Sequence, residues 1–181
     1  MAEPGKWVSV SNPYVTPRSV GAHEAWAAEA AQHGHAGTQR LVEVTQIAAA
    51  PIVAEALQVA PGEPVVVRRR LILLDNKPVE LTDSYYPTAI AQGTPLAEPR
   101  KIPGGAVTLL AKLGHRPRRI VEEVNAREPT AEERTALDLD PQEWVLQLIR
   151  IAAVDNGQPV EATVITMKAR HRHLRYQLSI D

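Results

Sequence analysis

The feature that most constrains this chain is an internal repeat. Residues 53–86 return as residues 133–167, at an offset of 80. The first copy reads VAEALQVAPGEPVVVRRRLILLDNKPVELTDSYY, and the second ERTALDLDPQEWVLQLIRIAAVDNGQPVEATVITM. Leu57 matches Leu137, Pro61 matches Pro141, Glu63 matches Glu143 and Arg70 matches Arg150. Asp75-Asn76 matches Asp155-Asn156. After one inserted residue, Gly157, Pro78-Val79-Glu80 matches Pro159-Val160-Glu161 and Thr82 matches Thr163. Turn residues, charges and apolar spacing recur together, so each copy is one structural unit used twice.

Each unit reads as helix, turn, hairpin. Short amphipathic helices are expected near Ile52–Val59 and Ala131–Leu139, with Pro51 and Pro129-Thr130 marking their starts. Strands follow at Val65–Leu74 and Val145–Val154, and return at Val79–Tyr86 and Val160–Met167. Asp-Asn tolerates positive φ and closes each hairpin. Two hairpins of this kind form one antiparallel sheet with the helices on one side, an α+β layout. Thr38–Ile47 and Ile120–Arg127 add a matched strand before each unit, with Glu43-Val44 against Glu123-Val124. Ala106–Leu113 is an inter-unit helix, and His171–Ile180 is expected to be the last strand. Arg18–His35 is Ala-rich and helical, with Trp26 its one large apolar residue. The first 17 residues read as an irregular arm or linker, and 18–181 as the domain proper.

Composition narrows the function. A chain of 181 residues suits one domain, or one domain with an ordered extension. It has no Phe, so Val, Leu, Ile and Ala must fill the core. A net charge of −1 weighs against a whole DNA-binding protein, which needs a basic surface for phosphates. The absence of cysteine removes disulfides and thiolate metal sites. No apolar run approaches the ~20 residues of a membrane span, and the N-terminus has no signal-peptide core. A cytoplasmic protein without membrane association is the expectation.

Strand parity collects the polar groups. Arg68 and Arg70 share a face of one strand, and Glu80, Thr82, Ser84 and Tyr86 share a face of the next. Arg150, Glu161 and Thr163 occupy the equivalent face of the second unit. A guanidinium there suits a carboxylate or phosphate ligand. The plainer reading is two cross-strand ion pairs, Arg70 with Glu80 and Arg150 with Glu161. Pro103-Gly104-Gly105 before a helix is a second candidate anion site, or a simple loop. His33 and His35, and His171 and His173, lack nearby carboxylates and read as surface groups rather than metal ligands. No nucleophile elbow, phosphate loop, dinucleotide fingerprint or zinc-protease motif occurs. The basic run Lys168–Arg175 reads as a solvated edge.

The pattern PGEPVVVRRRL with D-x-x-P-V-E-L-x-x-S-Y-Y-P, from Pro61 to Pro87, resembles the effector-binding UTRA domain of GntR-type transcription regulators of the HutC subfamily. The resemblance starts near Gly37-Thr38-Gln39. It continues through L-L-x-x-L-G at Leu109–Gly114 and N-G-x-P-V-E-A-T at Asn156–Thr163. It implies a chorismate-lyase-like α+β fold and homodimers; with the catalytic motifs absent, no cofactor and no catalysis are expected. A small metabolite in the sheet cleft would change operator affinity through a winged helix-turn-helix outside this sequence. The chain would then be either part of such a regulator or a stand-alone sensing domain. The family's ligand arginine falls at Arg70, but a second arginine used by phosphosugar sensors is replaced by Ile72. The usual acid falls at Thr82, the glutamate at Glu161, the tyrosine at Met167, the serine near Gly105 and an early loop contact near Thr38. Arg68 and Tyr86 join this effector-binding set from the same sheet face. The departures imply a smaller, less charged or more apolar effector than a phosphosugar. Two alternatives stand beside this reading, a chorismate-lyase-like enzyme and a ligand-free dimerisation module.

Overall fold

A computed structural model describes residues 7–19, 24–170 and 172–177. Its centre is a six-stranded antiparallel sheet built from β2 (Gly37–Ala48), β3 (Pro64–Leu74), β4 (Lys77–Pro87), β5 (Arg119–Arg127), β6 (Val145–Ala153) and β7 (Pro159–Lys168). The spatial order is β2-β3-β4-β7-β6-β5, so two three-stranded meanders meet at β4 and β7. At that seam Asp83 lies opposite Val164, its own counterpart after the one-residue insertion. Thr82 opposite Ile165 and Ser84 opposite Thr163 are therefore images of each other. The repeat has become a pseudo-two-fold axis through the Asp83–Val164 pair.

The hairpin turns explain the inserted glycine. Asp75 and Asn76 both have positive φ, 49° and 63°, which closes β3–β4 in two residues. In the second hairpin Gly157 takes the left-handed conformation at φ 84°, and Val154 N–H donates to the Gln158 carbonyl at 3.0 Å. The longer turn needs one residue free of a Cβ penalty, and the glycine supplies it.

The repeat helices share one face of the sheet, as expected, and further helices close part of the other. The repeat helices α3 (Pro51–Leu57) and α6 (Ala131–Ala136) lie on the back face. There Val53, Ala54 and Leu57 pack against Val65 and Ala162, and Leu137 and Leu139 against Val145. The front face is closed at one end by α4 (Thr88–Ala91), a 3₁₀ turn (Pro95–Ala97) and α5 (Gly105–Lys112). Ile90, Leu96, Ile102 and Leu110 bury Val66, Tyr86 and Ala152 there. Full burial of each such side chain is worth about 1.5–3 kcal/mol.

Helix α2 (Ala25–Gln32) is shorter than the Arg18–His35 expected, and residues 20–23 lie outside the described residues. It lies against the start of β2 at Gly37, where a Cβ would stand 2.7 Å from the Ala30 Cβ and 2.8 Å from the Trp26 carbonyl. A glycine is required for that approach. Trp26 Nε1–H donates to the Leu73 carbonyl at 2.8 Å.

Two further expectations fail. The arm is not irregular throughout: β1 (Trp7–Ser9) and the single turn α1 (Asn12–Val15) are regular. Of the expected last strand, only β8 (Arg172–Leu174) is strand among the described residues, and it leaves the main sheet to run parallel to β1. His171 and residues 178–181 lie outside the described residues.

Candidate functional site

The front face of the sheet floors a cavity of about 770 Å³. Its walls come from Trp26, from Ile102 to Val107 and from Pro13 to Thr16 of the arm. That size is in the range of small-molecule sites.

Parity places the polar groups on the floor as expected. Arg68, Arg70, Glu80, Thr82, Tyr86, Glu161, Thr163 and Arg150 all line the cavity. The two expected ion pairs, however, do not form. Arg70 lies opposite Thr82 and Arg150 opposite Thr163, one step away from the glutamates. Arg150 Nε instead donates to Glu122 of β5 at 2.6 Å. Glu80 pairs with Arg172 at 3.0 Å and accepts from Thr82 Oγ1 at 2.7 Å.

Arg70 is left without a carboxylate among the described residues. Its Nη2 donates to Ser84 Oγ at 2.9 Å, while its Nε is buried and unpartnered. From Ser84 a chain of hydroxyls crosses the seam. Ser84 Oγ is 3.1 Å from Thr163 Oγ1, and Thr163 donates to Glu161 Oε1 at 3.0 Å. Tyr86 OH donates to the same oxygen at 3.0 Å. Burial, reinforced by the neighbouring Glu161, holds the Tyr86 phenol well above its ordinary pKa, so it stays a donor. An arginine with a buried free N–H and a carboxylate thus share one connected floor.

The other expected site residues divide. Arg68 lines the cavity, but its guanidinium is used structurally. It donates to the carbonyls of Pro95, Leu96, Glu98 and Arg100 at 2.7–3.2 Å. Burial lowers its pKa. Gly105 lines the cavity, yet its N–H already donates to the Ile102 carbonyl at 2.9 Å. Thr38 lies at the rim. Met167 does not reach the main cavity. It is 3% exposed, packs with Leu148 and Ile165, and borders a small neighbouring pocket. His33, His35 and His173 are exposed, and His35 Nδ1 lies 2.6 Å from Asp75 Oδ2. No cluster of metal-ligating side chains exists among the described residues.

The arm was missed as part of the site. Tyr14 OH donates to Glu29 Oε2 at 2.5 Å, and Ser9 Oγ to Glu29 Oε1 at 2.7 Å. Ser11 Oγ donates to Glu122 at 2.8 Å, and Arg150 lies 5.9 Å from the centre of the Tyr14 ring. Arg18 N–H donates to Thr108 Oγ1 at 3.0 Å. Arg172 reaches Ser9 Oγ at 3.0 Å and stacks 5.6 Å from the Trp26 ring centre. Local sequence holds little sign of this, because short irregular segments carry no periodicity. Glu122 was within reach, since the repeat aligns its strand with β2.

Against known proteins, the UTRA domain family model matches residues 32–173. An uncharacterized HTH-type transcriptional regulator of Streptomyces coelicolor is 33% identical over 141 residues, covering 76% of this chain and 51% of that protein. The crystal structure of PhnF from Mycobacterium smegmatis superposes with a TM-score of 0.78 at 18% identity, covering 97% of this chain and 73% of that one. A GntR-family transcriptional regulator from Bacillus cereus does so with a TM-score of 0.65 at 20% identity, covering 80% and 99%. The chain belongs to the UTRA domain family, and its fold is the chorismate-lyase-like α+β fold of GntR-family effector domains. It spans about half the length of the curated relative it matches. No helix among the described residues is long and apolar enough to cross a membrane.

Proposed function

We propose that this chain is the effector-binding part of a GntR-type transcription regulator of the HutC kind, and that it is not an enzyme. The observation that carries this reading is the cavity itself, lined by Arg70, Thr163, Glu161 and Tyr86, which the buried Ser84 joins into one hydrogen-bonded series. The site set is Arg70, Thr82, Glu161 and Tyr86, with Thr38 and Gly105 at the rim. Arg68 serves to hold the wall. A metabolite bound there changes operator affinity only if it favours one arrangement of a homodimer over another. DNA contact belongs to a winged helix-turn-helix outside this sequence. Loss of the second arginine at Ile72, the acid at Thr82 and the tyrosine at Met167 disfavours a phosphosugar.

A thermal-shift screen against a metabolite panel tests the reading. A true effector at ~100-fold over its dissociation constant stabilises the fold by about 2.7 kcal/mol. It also shifts operator affinity in the complete regulator. If panel members stabilise the domain but none alters operator binding, the reading fails. The enzyme alternative requires a positioned acid or base. Lys101, the one lysine among the lining residues, is paired with Glu24 at 2.8 Å. Formation of 4-hydroxybenzoate from chorismate would overturn the non-enzymatic part.

A further inference from the structure

The repeat gives the floor two equivalent arginines, Arg70 and Arg150, and the two have opposite surroundings. Across the strand from Arg150 stands Glu122, and the pair is nearly buried, with side chains 14% and 7% exposed. Across the strand from Arg70 stands Leu41. Under the pseudo-two-fold relation, Leu41 occupies the position of Glu122. One arginine is neutralised from within, and the other is left with a buried N–H that nothing satisfies.

A buried guanidinium N–H without a partner costs free energy unless something fills it. The side chain that carries it lines the cavity. The sheet residues that line the cavity carry one excess positive charge, because Arg68, Arg70 and Arg150 stand against Glu80 and Glu161. The hydroxyl chain ends on Glu161, an acceptor for a donor group on the same ligand. A second negative charge on a ligand at Arg70 would face Glu161 and Glu80 on the same floor, where like charges repel strongly at low dielectric.

We propose that the cavity selects a singly charged anion, of carboxylate type, seated on Arg70 with a hydrogen-bond donor turned toward Glu161. Leu41 is the specificity-determining residue, because it withholds the counter-ion that Glu122 supplies in the other half. This rests on the effector-binding reading and narrows its ligand class.

Arginine Nε–H resonances test it directly on the chain as it stands. The signals of Arg70 and Arg150 are assigned from Arg70→Gln and Arg150→Gln. The protein is then titrated with acetate, with acetamide and, at pH 8, with methyl phosphate, whose second ionisation near pH ~6 makes it a dianion there. The expected result is a saturable shift of Arg70 with acetate and none with acetamide. Methyl phosphate should bind more weakly than acetate, and Arg150 should stay still. Leu41→Glu should weaken acetate binding by about tenfold or more through the added charge, whereas Leu41→Gln should keep it. If Arg70 does not respond to acetate, or prefers acetamide or methyl phosphate, the proposal is overturned. Leu41→Gln weakening acetate as much as Leu41→Glu would overturn the role of Leu41. The broader reading fails separately. If acetate seats on Arg70 but no metabolite alters operator affinity, the effector reading is wrong. If a neutral or dianionic effector does alter it, only the ligand class is wrong.

Discussion

In the first half of the sheet Arg68 reaches out of the floor and gathers four loop carbonyls, whereas its counterpart in the second half, Leu148, packs against Ile165 and Met167. Arg70 keeps a bare N–H, whereas Arg150 is matched by Glu122. Tyr86 donates to Glu161, whereas the image of that pair, Met167 beside Glu80, has no hydroxyl, and Glu80 turns to Arg172. The back faces differ as well. Helix α3 is held by Val53 and Ile47, but at the equivalent positions α6 is held by Glu133 and Arg127, paired at 2.6 Å. One backbone plan thus carries two chemistries. In the first half Arg70 lines the cavity with no carboxylate opposite it. In the second half Arg150 is closed on Glu122 and lies against the arm's Tyr14.

Making the halves alike should break this division in graded steps. The largest effect is expected for Arg68→Leu, which copies Leu148. It strips the donor from carbonyls of residues 95–100, and several charge-assisted bonds go at once. We expect a loss of about 3–5 kcal/mol in denaturant unfolding. A value below about 1 kcal/mol would mean that the loop finds other donors. Next comes Arg150→Leu, which strands Glu122 at low exposure and should cost about 3 kcal/mol. The double variant Arg150→Leu/Glu122→Leu should recover most of that loss. A double variant as unstable as the single one would show that the ion pair is not a closed unit. Tyr86→Phe removes one donor from Glu161 and is expected to cost about 1–2 kcal/mol, with a larger effect on ligand affinity than on stability.

Acid should separate the two helices. Hydrogen bonding to Arg127 holds the Glu133 carboxyl below its ordinary pKa, with Thr130 N–H and Thr166 adding to the effect. A depressed folded pKa gives stability that is present above the unfolded value and lost as pH falls through the folded one. Amide exchange in α6 should therefore accelerate below pH ~4 relative to α3, whose contacts are apolar. Equal responses would contradict the comparison. The smallest effect is expected for Tyr14→Phe, about 1 kcal/mol or less. It should show as faster exchange at Trp7–Ser9 with the main sheet unchanged.

Much of this was legible in the sequence. The offset of 80 located all six main strands, and period two put Arg70, Thr82, Tyr86 and Glu161 on one face. Partner choice was not legible. Arg150 turns to β5 rather than to its own hairpin because the strand register sets Thr163 opposite it, and hairpin composition alone does not reveal that register. Arg68 looked like a ligand group because the 95–100 loop that captures it has no periodic pattern. Met167 fills a tyrosine position, yet it packs with Leu148 and Ile165, neither of which stood out alone. The arm was invisible because its contacts with Glu29, Glu122 and Arg172 span 15 to 163 residues.

The parallel pairing of β1 with β8 is only three residues long on each side. The floor, by contrast, is held by ladders of six to eleven paired positions. The cavity therefore has a hard bottom and a soft wall. Under the effector-binding reading proposed above, a guest is expected to enter and leave by parting the arm rather than by deforming the sheet. Its dwell time is thereby separated from its affinity: changes at Ser9, Tyr14 or Arg172 should alter how long a guest stays, and changes at Arg70 should alter which guest is held.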